Sequence, residues 1–372
     1  MKSKIEWTQE TWNPVRGCSR ISPGCERCYA ERMAARFSGY TTRAVSGEDL
    51  TQVSVPDKFH GFAERTKAGP HWTGRVELIP EKLTEPLHWR KPRRVFVNSM
   101  SDLFHEALPD EAIDEVFAVM ALCPQHTFQV LTKRAKRMRE WFAAKTENNP
   151  PDRPRRYDFR GAVVSAFAKM QLVKLGFIPD KEWIPEANDW VDRFPWLDLS
   201  GPCMLWPLPN VHLGVSVESQ KYADERIPEL LATPAAVRWV SAEPLLSELD
   251  FGSIRAYEGK YFRLFDSLRE IETPDIGVRP ALNWVVVGGE SGPGARPMHP
   301  DWVRSIRDQC QAADVPFFFK QWGEFVPRGQ EPTQALATRR VLRFQEGQEF
   351  AKVGKKAAGA MLDGREWREY PA

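Results

Sequence analysis

Cys18, Cys25 and Cys28 fall within one short run, Gly17-Cys18-Ser19-Arg20-Ile21-Ser22-Pro23-Gly24-Cys25-Glu26-Arg27-Cys28-Tyr29, with the spacing C-x6-C-x2-C. They are half of the six cysteines of the chain. A C-x2-C pair lets two thiolates reach one metal centre from a single turn. Gly17, Pro23 and Gly24 supply the bends that return Cys18 to the same centre. Structural zinc takes four protein ligands, the fourth usually Cys or His. Three thiolates without a clustered fourth leave one coordination position open, which suits an iron–sulfur cluster with one iron free for a small molecule. Zinc completed by His60 or His71 is the competing reading. Both histidines lie in Gly/Pro-punctuated stretches, Lys58-Phe59-His60-Gly61 and Gly69-Pro70-His71-Trp72, and neither shows a paired C-x2-H or H-x3-H spacing. A disulfide with a spare thiol is disfavoured, because Met1-Lys2-Ser3-Lys4-Ile5-Glu6-Trp7 carries no apolar secretory region.

A second set of chemically useful residues recurs directly after short apolar runs: Asn98, Ser101 and Asp102; Thr132 and Lys133; Ser216 and Glu218; Glu243; Glu290; and Lys320. The runs that position them are 94–98, 127–132, 211–217, 237–241, 284–289 and 316–320, each short and continuously apolar like a strand buried on both faces. Helical spacing is predicted over 29–37, 113–122, 133–142, 220–233 and 301–313. A first strand is expected beside the cysteine loop. Strands alternating with helices imply a parallel sheet, either doubly wound or barrel-like. Polar residues at nearly every strand end favour the barrel, whose strand C-termini form one rim that carries the site. The expectation is an α/β fold, a partial TIM-type (βα) barrel with insertions. Residues 1–142 would hold the cysteine loop and the first half of the barrel, and 210–328 the second half. Residues 143–209 read as an insertion and candidate lid, rich in Pro and Asn and bearing Trp183, Trp190, Trp196 and Trp206. Residues 329–372 read as a C-terminal extension. Residues 38–92 read as mostly loop with a short helix near Glu81 to Trp89, and 249–281 as irregular.

The chain of 372 residues has 42% hydrophobic and 27% charged residues, enough for a sizeable core. A net charge of +2 gives no strong electrostatic case for nucleic acid. Basic stretches do occur at Lys133-Arg134-Ala135-Lys136-Arg137-Met138-Arg139, at Arg153 to Tyr157 and at Arg339-Arg340. No run is long enough to span a bilayer as a helix, so no membrane is expected, and reduced thiols point to the cytoplasm.

The cysteine loop followed by repeated β/α units resembles the radical S-adenosylmethionine (radical SAM) superfamily. More closely, the chain resembles the phage- and prophage-associated three-cysteine-motif family, which is radical-SAM-like. The residues that carry the resemblance are Ile5-Glu6-Trp7-Thr8, Thr11-Trp12-Asn13-Pro14, Gly17-Cys18, Cys25-Glu26-Arg27-Cys28-Tyr29-Ala30, Gly214-Val215-Ser216-Val217-Glu218, Gly288-Gly289-Glu290-Ser291-Gly292 and Lys320-Gln321-Trp322-Gly323. The Cys28-Tyr29 ending is also similar to that of spore photoproduct lyase. The superfamily loop is C-x3-C-x2-C with an aromatic residue before its last cysteine. Here the first gap is longer by three and Arg27 takes the aromatic place. The superfamily's Gly-Gly-Glu follows the second strand. Here Asn98-Ser99-Met100-Ser101-Asp102 stands at that place, and Gly288-Gly289-Glu290 comes late.

The resemblance implies that Cys18, Cys25 and Cys28 hold a [4Fe–4S] cluster whose fourth iron takes S-adenosyl-L-methionine. Reductive cleavage of the sulfonium would give a 5′-deoxyadenosyl radical that abstracts hydrogen from a substrate, a nucleobase or nucleic acid among the candidates. Ser101, Asp102 and Glu218 are candidates for the SAM ammonium, and Thr132, Lys133 and Ser216 for its carboxylate. Asn98, Glu243 and Glu290 complete the cofactor-binding candidates. Implied partners are a flavodoxin- or ferredoxin-like electron donor and a three-Cys-motif partner protein. The alternative function is a zinc-stabilised nucleic-acid-binding protein without catalysis.

Overall fold

A computed structural model describes residues 3, 5–45, 51–143, 207–258, 261–273, 277–330, 341–343 and 347–371. The insertion expected over 143–209, with its four tryptophans, lies almost wholly outside the described residues.

Seven strands form one parallel sheet: β1 Glu10–Trp12, β2 Arg94–Val97, β3 Thr127–Thr132, β4 Val211–Ser216, β5 Val237–Ala242, β6 Trp284–Gly288 and β7 Phe317–Gln321. Their spatial order is their chain order. The helices are α1 Tyr29–Arg36 after β1, α2 Asp110–Ala121 after β2, α3 Ala135–Ala143 after β3, α4 Gln220–Leu231 after β4 and α5 Pro300–Ala312 after β6.

Side chains alternate between the two faces of each strand. Val95, Val97, Phe128, Val130, Leu213, Val215, Val240, Val285, Val287, Phe317 and Phe319 join one core cluster with the helices. Phe96, Leu131, Trp239, Trp284, Val286 and Phe318 turn the other way and gather around Trp7. Ring centroids of Phe96, Trp239 and Trp284 lie 4.7, 5.1 and 6.3 Å from that of Trp7. Strands stand about 4.8 Å apart, so in a flat sheet β2 and β6 would be separated by roughly 19 Å. One indole can touch both only if the sheet curls around it. The architecture is therefore a seven-stranded parallel half-barrel, plugged at depth by Trp7. Gly214 on β4 makes room for this plug, since a Cβ there would lie 2.4 Å from the Trp239 ring.

Two sequence expectations need correction. Residues 38–92 contain paired strands: Tyr40–Val45 with Thr51–Pro56, Ala63–Thr66 with Gly69–Trp72, and Val15–Arg16 with Glu77–Leu78. Those at 63–72 and at Val15–Arg16 with Glu77–Leu78 escape a pattern search because they are short, with few buried residues. In Ala63–Thr66 only Ala63 is buried. The helix expected near Glu81 to Trp89 is two pieces, Pro80–Leu83 and a 3-10 turn over Glu85–His88. Pro86, which lacks an N–H, sits in the second piece. Within 249–281, Ile254–Glu258 pairs with Tyr261–Phe265, and Ile271–Thr273 with Gly277–Arg279. No helix among the described residues is long and apolar enough to cross a membrane.

Candidate metal and cofactor site

The three motif cysteines sit where β1 hands over to α1, at the C-terminal end of the half-barrel. Their thiols are free, as are those of Cys123 and Cys310. A 3-10 turn at Pro23–Cys25 leads through Cys28, the residue that precedes the first turn of α1. Burial, Asp102 and the neighbouring thiols push Cys18 up to about 12, against the pull of Arg134. Burial also raises Cys28, and the backbone N–H groups of Glu31 and Ala30 bring it only partway back. A thiol so placed becomes a thiolate when a cation is bound beside it.

Four clamps hold this loop. Arg20 makes a bidentate pair with Glu31 at 2.6–3.0 Å, and Glu31, 1% exposed, also accepts the Trp72 backbone N–H at 2.9 Å. The Gly24 N–H donates to Glu218 Oε1 at 3.3 Å. Arg296 donates to the Pro23 carbonyl at 3.0 Å while gripping both oxygens of Glu290 at 2.6 and 3.0 Å. Arg134, nearly buried, donates to Ser19 Oγ at 2.8 Å and approaches Cys18 Sγ with Nη1 at 3.9 Å. Glu218 and Glu290 follow β4 and β6, so the loop is tied to both sides of the rim.

Below it, inward-facing residues at successive strand ends make a polar belt. Lys133 Nζ donates to Ser216 Oγ at 2.8 Å and to Glu218 Oε2 at 3.1 Å. Ser216 Oγ donates to the Glu243 carbonyl at 3.3 Å, and Lys320 Nζ meets Glu243 Oε1 at 2.5 Å. Glu218 also accepts from Arg226 of α4 at 3.1 Å, both side chains being 1% exposed. Burial pushes the Glu218 carboxyl up, but Lys133 and Arg226 outweigh it and hold it below the usual carboxylate range. Tyr29 reaches the same region: burial, countered by Ser99, raises its hydroxyl, with Cys28 and Lys320 nearby.

Every strand-end candidate thus lies at one end of the sheet, but their surroundings differ. Lys133, Ser216, Glu218 and Glu243 form the belt, and Glu290 supports the loop through Arg296. Asp102 is fully engaged, accepting from Phe104 N, Thr132 Oγ1, Lys133 N and Arg134 at 2.7–3.2 Å. Ser101 donates to the Val15 carbonyl at 2.9 Å and Asn98 accepts the Val15 N–H at 3.3 Å. These two fix the strand entering the loop. Glu218 is just as engaged, accepting from Gly24 N, Lys133 and Arg226, but of the residues proposed for an ammonium it is the acid that bonds the cysteine loop itself.

Sequence reasoning missed Arg134, Arg226, Arg296 and the Arg20–Glu31 pair. Glu31 had a signal: it shares a helical face with Ala30, Ala34 and Ala35, where an acid is out of place on a surface helix. The zinc reading gains little from His60, whose ring nitrogens are engaged by Tyr40 Oη at 3.2 Å and the Ser38 carbonyl at 3.1 Å. His71 is exposed on its hairpin. Among the described residues no group of three or more His, Cys, Asp or Glu is gathered to hold one metal ion, the three motif cysteines included, so the geometry favours neither zinc nor a cluster. The basic run 133–139 is neutralised: Lys133 by Glu218, Arg134 by Asp102 and Glu106, Arg137 by Asp110, Arg139 by Glu229, with Lys136 3.9 Å from Glu140. Arg153 to Tyr157 and Arg339-Arg340 lie outside the described residues.

The chain belongs to the family described as "Protein of unknown function (DUF5131)", whose signature spans residues 2–371. No curated protein and no solved structure matches it.

Proposed function

We propose that this chain is a radical SAM-type iron–sulfur enzyme. The observation that carries the reading is the placement of three free thiols of one loop over the C-terminal rim of a parallel half-barrel, the face on which barrel folds build their sites. Cys18, Cys25 and Cys28 would hold a [4Fe–4S] cluster and leave one iron for S-adenosyl-L-methionine. The donor type suits such a cluster, which takes thiolates, and an Arg134 N–H near Cys18 Sγ is the kind of contact that tunes one; the three thiols are not gathered into a ready-made metal group, so binding would draw them together. When bound, the pair supplies one-electron reductive cleavage of the sulfonium and hydrogen abstraction.

The chain's own residues have definable tasks. Glu218 presents a carboxylate to the loop and suits the SAM ammonium. Lys133 and Ser216 suit its carboxylate. Glu243 and Lys320, paired with each other across the belt, are the charged groups that would lie nearest a substrate. Trp7, Trp239 and Trp284 close the floor and exclude water from below. The electron would come from a flavodoxin- or ferredoxin-like donor, and a cytoplasmic setting keeps the thiols reduced.

The test is anaerobic reconstitution with iron and sulfide, followed by SAM and dithionite. A brown protein that releases 5′-deoxyadenosine is expected. Cys18→Ala, Cys25→Ala and Cys28→Ala should each lose iron, whereas Cys123→Ala and Cys310→Ala should keep it. A colourless zinc protein, or full iron in Cys25→Ala, would sink the assignment.

A further inference from the structure

Helix α1 is built inside out. Its buried side is Ala30, Glu31, Ala34 and Ala35. Its large apolar side chains, Tyr29, Met33 and Phe37 at spacing i, i+4, i+8, are 50%, 36% and 44% exposed. Ordinary surface helices turn such residues to the core. The row begins beside Cys28 and runs about 12 Å away from the loop. Tyr40, 62% exposed, extends it.

Arginines flank this row without acidic partners. Arg32 donates to the carbonyls of Ser291 and Pro293 at 3.1 and 3.5 Å. Arg36 lies over the Phe37 ring, 5.7 Å from its centroid. Arg65 donates to the carbonyls of Ala35 and Arg36 at 3.0 and 3.3 Å. None of the three has a carboxylate partner among the described residues. By contrast, Arg137, Arg139, Arg304 and Arg307 elsewhere are all paired with acids. The row ends in a cleft of about 570 Å³ whose lining includes Arg36, Tyr40, His60 and Arg65. Asp57 and Glu64 also line it, so the cleft itself is balanced in charge and the cationic character lies along the helix, at Arg32 and Arg36.

Exposed rings interleaved with acid-free guanidinium groups are what single-stranded nucleic acid requires. Bases stack on the rings, and phosphates take the guanidinium N–H groups. An acidic protein would satisfy the arginines and leave the rings wet. We infer that this face of α1 binds a single strand of nucleic acid and leads it to the rim beside Cys28. The strand's role as substrate rests on the function proposed above; its binding does not.

The test is fluorescence anisotropy of fluorescein-labelled single-stranded DNA and RNA of about 15 nucleotides, titrated with the full chain at roughly 50 and 200 mM salt. Phe37→Ala should weaken binding about 5- to 150-fold, the loss of one stacked base. Arg32→Gln and Arg36→Gln should each lower the slope of log affinity against log salt by about 0.7. Arg137→Gln, on the neutralised helix α3, should change neither. Wild-type protein that binds neither strand, or Phe37→Ala and Arg36→Gln variants that bind like wild type, would overturn the inference. So would displacement by poly-glutamate with indifference to Phe37→Ala, which would mark an acidic protein partner. Chain that binds the strand but takes up no iron supports this surface and refutes the cluster. Brown, SAM-cleaving protein that binds neither strand does the reverse.

Discussion

Glu218→Gln is the sharpest probe of how the rim is held together. Glu218 and Arg226 are each 1% exposed and 3.1 Å apart, and Lys133 lies 3.1 Å from the same carboxylate oxygen. The next carboxylate to Arg226, Glu225, is 4.0 Å away and exposed, so it substitutes poorly. Arg226 Nε and Nη2 have no hydrogen-bond partner among the described residues. Neutralising Glu218 leaves a buried guanidinium without its counter-charge, which costs about 3–5 kcal/mol. For a chain of this size that corresponds to a drop in Tm of roughly 4–6 °C at pH 7. Glutamine keeps an oxygen for the Gly24 N–H, so the loss measures charge rather than the loop contact. The pH dependence follows from the lowered Glu218 carboxyl. Its contribution is present above the unfolded value of about 4.3 and is lost as pH falls through the lower folded value, so variant and wild type should converge in acid. Adding Arg226→Met should restore part of the stability by removing the orphaned charge. Differential scanning calorimetry reads all three. A Glu218→Gln Tm within about 1 °C of wild type at pH 7 would refute the argument.

Two further outcomes test the half-barrel interior. Gly214→Ala places a Cβ 2.4–2.7 Å from three atoms of the Trp239 ring. It should cost about 1–3 kcal/mol, and an unchanged urea midpoint would remove Trp239 from its assigned place. Burial holds His212 down at about 4. Its contribution is full above the unfolded value near 6.5, declines as pH falls and is gone below 4, about 3 kcal/mol in all. His212→Leu should flatten the stability curve between those values, and an unaltered slope would show the ring to be wet.

The central strands were legible because a strand buried on both faces must be apolar throughout, as Trp284-Val285-Val286-Val287 is. The rim was legible for a related reason: Lys133, Ser216 and Glu243 interrupt that rule where the strand leaves the core. What could not be read was pairing over distance. Arg134, Arg226 and Arg296 look like surface charges in any local window. Arg134 and Arg226 are buried against Asp102 and Glu218, and Arg296 is half-buried against Glu290; Asp102 lies 32 residues from its partner, while the other two acids are close in sequence but carry no local sign of being drawn inward. The small hairpin at Ala63 was invisible because it turns only Ala63 and Trp72 toward the cysteine loop and leaves no alternating pattern.

The last strand of the half-barrel does not face solvent alone. Residues near the end of the chain fold back along β7: Phe319 N–H donates to the Trp367 carbonyl at 3.0 Å and Glu369 N–H to the Phe317 carbonyl at 3.3 Å. Phe318 and Arg368 form an antiparallel bridge. An uncovered edge strand is a template for wrong pairing. During synthesis, Phe317-Phe318-Phe319 leaves the ribosome well before the segment that shields it. At 5–20 residues per second the intervening stretch takes about 2–9 s to appear. For that interval a strand with three consecutive phenylalanines offers its hydrogen bonds to any neighbour. Shortening the chain before Trp367 would make the interval permanent, turning a transient hazard of birth into a standing tendency to aggregate.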